Sequence, residues 1–97
     1  MAASPSVVAL PRYARGDYPA LLHLFSDSDL LPATYDGWLE RAQVVERQFQ
    51  KAGFGVAKIR IRPAPFAAWC KERNVSPDQA ARLTFVNEAA RHPPSGH

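Results

Sequence analysis

The chain contains little of what disulfide-stabilised, membrane-bound or phosphate-binding proteins require. It has one cysteine, Cys70, so no disulfide can form within the chain. No stretch approaches the roughly 20 apolar residues of a membrane-spanning helix, and the apolar run near the N-terminus is too short for a signal peptide. The closely spaced glycines, at positions 53 and 55, do not open a helix as a phosphate-binding loop would. We therefore expect a cytoplasmic protein that does not associate with a membrane.

The residue types that perform chemistry do not form a recognisable pattern. No pair of histidine, cysteine or carboxylate residues has the spacing of metal ligands, and the acidic segment 27–36 lacks the glycine of a calcium-binding loop. Cys70 has no base placed near it, and it shares a predicted helix face with Phe66 and Trp69, which favours a buried apolar role. The sequence therefore predicts a protein that is not an enzyme and that needs no cofactor and no metal.

What the chain does contain is enough for one globular domain. It has 97 residues, of which 46% are hydrophobic and 22% are charged, and its net charge is +3. Residues 1–48 carry four basic and six acidic side chains, whereas residues 49–97 carry eight basic and three acidic side chains. We expect a flexible arm at 1–15, a single compact helical domain at 16–91 and a disordered tail at 92–97.

The longest predicted helix covers residues 35–52. Thr34 is a suitable N-cap, and Gly53 is a suitable residue for closing the last turn. Apolar residues recur at spacings of three and four, which is typical of a helix with one buried face. This apolar stripe consists of Trp38, Ala42, Val45, Phe49 and Ala52.

Three shorter helices are predicted near residues 16–25, 65–73 and 76–91. The last has the clearest start signal, because Ser76 is followed by Pro77 and Gln79 in the pattern of a capping box. The predicted fold class is mostly α, with four helices and one short β-strand.

The predicted strand, at about residues 56–62, is apolar on one face and cationic on the other. Strict alternation separates two isoleucines from three cations, namely Ile59 and Ile61 from Lys58, Arg60 and Arg62. A strand needs a partner for its backbone groups. That partner is either a weak strand at residues 6–10 or the same strand of a second chain in an intermolecular antiparallel ribbon. In a third arrangement the strand stays an edge that its cations protect.

The order of basic strand, short helix, turn and longer capped helix over residues 56–91 resembles the ribbon-helix-helix family of small bacterial DNA-binding proteins. The resemblance implies that two chains pair one strand each and that the outward strand side chains enter the DNA major groove. It assigns base contacts to Lys58, Arg60 and Arg62, and a phosphate contact to the N–H of Ser76.

Two functions remain open for a non-catalytic binding module. The first is nucleic-acid binding by a homodimer through the basic strand. The alternative is a protein-interaction or accessory module that uses the apolar stripe of helix 35–52, represented by Trp38, Val45 and Phe49, while the basic strand is only a protected edge. A homodimer is expected through the strand, the long helix or both.

Overall fold

The structure, a computed structural model, describes residues 6–91. Within that range the mostly α fold is confirmed. Its elements are β1 (Val7–Arg12), α1 (Tyr18–Leu24), α2 (Tyr35–Lys51), β2 (Gly55–Arg60), α3 (Pro63–Arg73) and α4 (Gln79–Arg91). The predicted tail at 92–97 and the first five residues of the predicted arm lie outside the described residues.

Strands β1 and β2 form a two-stranded parallel sheet. The N–H of Gly55 donates a hydrogen bond to the carbonyl oxygen of Ser6 at 2.8 Å, and the N–H of Ile61 donates one to that of Arg12 at 2.9 Å. The basic strand therefore pairs inside its own chain, and the segment 1–15, predicted as a flexible arm, contributes a strand to the fold. A parallel pair needs a long crossover connection, and α1 and α2 supply it.

Pro11 explains why β1 is only weakly indicated by the sequence, since proline cannot donate a hydrogen bond within a sheet. Ser6 and Arg12 direct their carbonyl groups towards β2. Because successive residues of a strand alternate, the backbone nitrogen of Pro11 lies on the outer edge of β1, where no N–H is needed. The proline is therefore compatible with the strand.

Helices cover both faces of this small sheet. Helix α2 packs on β2, and the side chains of Leu10 and Lys58 lie on the same face. Helix α4 packs on β1 and β2 from the other side, next to Ala9 and Ile59. The alternation predicted for the basic strand is observed, because Ile61 is fully buried while Lys58 and Arg60 are exposed.

Both predicted ends of the long helix are confirmed. The Oγ1 of Thr34 accepts a hydrogen bond from the N–H of Gly37 at 3.1 Å. At the other end Gly53 has a φ of +94°, and the N–H of Phe54 donates to the carbonyl oxygen of Phe49 at 3.0 Å. This is the Schellman arrangement, in which a glycine in the left-handed conformation ends the helix.

Helix α3 differs from its prediction at one end only. It begins at Pro63 rather than Pro65, because a proline in the first helical turn leaves no hydrogen bond unmade. Its last residue, Arg73, is followed by Asn74 with a φ of +56°, as expected for a left-handed closing residue.

Five of the eleven buried apolar residues of the core are aromatic. The ring centroids of Tyr13 and Trp38 lie 4.7 Å apart, and those of Phe25 and Phe66 lie 5.8 Å apart. These contacts connect the residue after β1 with α2, and the residue after α1 with α3. The side chains with no exposed surface are Leu21, Ile61, Phe66 and Val86. None of the helices in residues 6–91 combines the length and the apolar character that crossing a bilayer requires.

Candidate binding surfaces

Two of the cations predicted to contact DNA bases are ion-paired within the chain. The Nζ of Lys58 lies 3.4 Å from the Oε1 of Glu46, and the Nη2 of Arg60 lies 2.9 Å from the Oδ2 of Asp17. The third cation, Arg62, lies beyond the end of β2 and immediately before the first turn of α3. The three side chains therefore do not form a row of free cations along one strand.

The N-terminus of α4, predicted to meet a phosphate, already holds two carboxylates. The Oδ1 of Asp78 accepts a hydrogen bond from the N–H of Ala81 at 3.0 Å, and the Oδ2 of Asp27 accepts one from the N–H of Gln79 at 3.2 Å. The cap is therefore Asp78 and not Ser76, whose carbonyl oxygen accepts the N–H of Asp78. These carboxylates satisfy the donors and the positive end of the helix dipole that a phosphate would use.

Asp27 also binds Arg82, which is the only buried charged side chain in residues 6–91. The two nitrogens Nη1 and Nη2 of Arg82 lie 2.8 and 3.0 Å from the two carboxylate oxygens, and the guanidinium lies 4.4 Å from the ring centroid of Phe25. The hydrogen bonds from Arg82 hold the pKa of Asp27 below its ordinary value. The sequence carries no local signal for this pair.

A cleft lies between α2, β1 and the segment that precedes α2. Its volume is about 280 Å³. Trp38 and Val45 of the predicted apolar stripe line it, whereas Phe49 packs against Phe54 with a centroid separation of 5.8 Å. The apolar lining consists of Leu10, Pro11, Leu31, Tyr35, Trp38, Leu39, Ala42 and Val45. The cleft was not predictable from the stripe alone, since β1 and Leu31 form its other wall.

Cations outnumber carboxylates around this cleft, because three basic residues and one acidic residue line it. Lys58 is paired with Glu46, the acidic one. Arg41 donates a hydrogen bond from Nη1 to the carbonyl oxygen of Leu30 at 3.3 Å, and within residues 6–91 neither Arg41 nor Arg12 forms an ion pair. The rim therefore has two uncompensated positive charges and attracts anionic groups.

Cys70 and the one histidine of the described residues lie away from the cleft. Burial raises the pKa of the Cys70 thiol, which keeps the thiol protonated in the core. His23 is exposed on α1, and the other two histidines lie outside the described residues. Across the part of the chain that the structure describes, no group of three or more His, Cys, Asp or Glu side chains is arranged to hold a metal ion.

Comparison of the chain with protein-family models, with curated proteins and with solved structures gave no match. Its function has therefore to be inferred from its own residues, and the cleft and the basic strand are the two surfaces that bear on it.

Proposed function

We propose that this protein is a non-catalytic protein-interaction module that accommodates an apolar side chain of a partner protein in the α2 cleft. The observation that supports the proposal is the cleft, whose apolar lining includes Trp38, Ala42 and Val45. Its volume of about 280 Å³ lies at the lower end of the range of roughly 300–1,000 Å³ that is typical of pockets for small molecules and cofactors. That size suits one or two side chains of a peptide segment.

The charges at the rim favour an acidic segment. Arg12 and Arg41 have no carboxylate partner within residues 6–91, and the negative charge of Glu46 is compensated by Lys58. A partner segment with Asp or Glu beside its apolar anchor would therefore complement the cleft in both shape and charge.

Two ion pairs make a protein partner a better proposal than a nucleic acid. Glu46 and Asp17 already offset part of the charge of Lys58 and Arg60, so each phosphate contact at these residues would release fewer counterions than a contact at an unpaired cation. Nucleic-acid binding and the homodimer stay predictions from the sequence.

The proposal is tested with peptides selected from a random displayed library against the whole protein. We expect the selected peptides to share an apolar residue flanked by Asp or Glu. Ala42→Phe fills the cleft and should weaken their binding by at least about tenfold, because the anchor loses its buried surface. Ala80→Phe places the same side chain at an exposed position of α4, outside the cleft, and should leave binding unchanged.

A second pair of variants tests the charge of the rim. Arg41→Glu should weaken binding of the acidic peptides, whereas Arg47→Glu, also exposed on α2 but not in the cleft, should have little effect. Selected peptides that bind Ala42→Phe as tightly as the unaltered protein would contradict the proposal.

A further inference from the structure

The outer edge of β2 presents backbone groups that nothing in residues 6–91 pairs. The N–H groups of Gly55 and Ile61 point towards β1. Because the backbone groups alternate along a strand, those of Ala57 and Ile59 also point towards β1. The residues between them direct their N–H and C=O groups away from β1, and no neighbouring strand of the described chain meets them. These edge residues are Val56, Lys58 and Arg60.

The other edge of the sheet is less suited to strand addition. Pro11 lies near the end of β1 with its nitrogen on the outer edge, so a strand added there would lose a hydrogen bond. An incoming strand can therefore extend the sheet fully only through β2.

A groove of about 750 Å³ lies beside this edge, between the sheet and the C-terminal part of α4. The residues of β1 that line the groove are alternate ones, Val7 and Ala9. The residues of β2 that line it are consecutive, from 57 to 60. The groove therefore extends around the edge of β2. Its apolar lining is completed by Ala57, Ile59, Ala89 and Ala90.

The charged side chains that line this groove are all basic. Its described lining includes Lys58, Arg60 and Arg91 and no acidic residue. Although Lys58 and Arg60 are ion-paired, their side chains remain 51% and 37% exposed, so an added carboxylate can still approach them. An acidic segment is the complementary occupant.

A second copy of the chain is a less favourable occupant of this edge than a peptide. Helix α2 contacts β2, so two β2 strands placed side by side would bring α2 and its copy to the same face of the extended sheet, where they compete for space. A register centred on Lys58 would also set that cation opposite its copy, which is unfavourable. An extended peptide has neither difficulty.

We propose that the outer edge of β2 binds an extended, acidic peptide segment of a partner protein by strand addition. The peptide backbone pairs with Val56, Lys58 and Arg60. Its alternate side chains are apolar and enter the groove beside Ile59, and the side chains between them are acidic and lie beside Lys58 and Arg60. Lys58 is the only residue that this groove shares with the α2 cleft, so the two surfaces can be tested separately.

The first test is amide hydrogen exchange in the free protein, followed by NMR. The amides of Ala57 and Ile59, paired with β1, should exchange slowly, and those of the three edge residues should exchange rapidly. Protected edge amides would overturn the proposal. If that protection is lost on dilution, the occupant of the edge is a second copy of the chain. If it is lost in a chain ending at Arg91, the occupant is residues 92–97.

The second test uses two matched heptapeptides, one alternating Glu with Val and one alternating Lys with Val. The Glu peptide should shift and protect the amides of Val56, Lys58 and Arg60, and the Lys peptide should bind at least about tenfold more weakly. Arg60→Glu should weaken the Glu peptide, whereas Arg62→Glu, outside the groove, and Ala42→Phe, in the cleft, should not. Equal binding of the two peptides, or unshifted edge amides, would overturn the proposal.

Discussion

Arg82 donates two hydrogen bonds to Asp27, at 2.8 and 3.0 Å, although 55 positions separate them in the sequence. The pair links the segment after α1 to the first turns of α4. Arg82 is only 5% exposed, so its charge would be left without compensation in the core if Asp27 were removed. In such pairs the cost of removing one partner exceeds the net gain from forming the pair.

We therefore expect Asp27→Ala to lower the free energy of unfolding by about 3–5 kcal/mol, since it leaves a buried guanidinium unpaired. Urea denaturation measures this change. Asp29→Ala is the control, because Asp29 is exposed and forms no ion pair within residues 6–91, and it should stay within about 0.5 kcal/mol of the unaltered protein. Equal effects of the two substitutions would contradict the structural role of the pair.

The same pair predicts how stability depends on acid. Arg82 lowers the pKa of Asp27 in the folded protein below its ordinary value of 3.8, so the folded state binds this proton less readily than the unfolded state does. The stabilisation is therefore complete above the ordinary value and is lost as the pH falls through the folded pKa. Unfolding by urea at a series of pH values should show the difference between the unaltered protein and Asp27→Asn shrinking below about pH 4.

The nucleic-acid hypothesis makes a quantitative prediction that the ion pairs oppose. If the three strand cations contacted phosphates rather than base edges, a plot of log K against log salt would have a slope of about −2.7, at about −0.9 for each contact. We expect a shallower slope with duplex DNA, because Glu46 and Asp17 already neutralise Lys58 and Arg60. The double variant Glu46→Gln with Asp17→Asn should steepen it. A slope near −2.7 in the unaltered protein would favour DNA binding if Arg60→Glu makes the slope shallower. Arg47→Glu is the control and should leave the slope unchanged.

Local features of the fold were predictable because a few adjacent residues determine them. Thr34 and Gly53 determine where α2 begins and ends, and their hydrogen bonds span only a few positions. The start of α4 shows the limit of such signals. Ser76 and Asp78 are both good caps, but Asp78 caps the helix, and Asp27, which is distant in sequence, accepts a second N–H of the same turn.

Pairings between distant residues could not be predicted in the same way. The alternation of residues 56–62 indicated a strand with two different faces, but it carried no information about whether Arg12 or a second chain would accept the N–H of Ile61. Likewise, the spacing of Trp38 and Val45 indicated an apolar stripe. Only the position of β1 beside α2 determines which part of that stripe is covered and which part lines a cleft.

The expected homodimer can be tested by light scattering at tens of micromolar protein. Dimerisation through the β2 edge would bring α2 against its copy, so we expect any dimer to use the cleft face of α2. Ala42→Phe, which fills the cleft, should then convert it to a monomer, whereas Arg60→Glu at the strand should leave it intact. If instead the dimer persists with Ala42→Phe and is lost with Arg60→Glu, its interface lies at the strand. That result would contradict the steric argument for a peptide at that edge. A monomer in all three samples would contradict the homodimer prediction and leave both surfaces accessible to a partner protein.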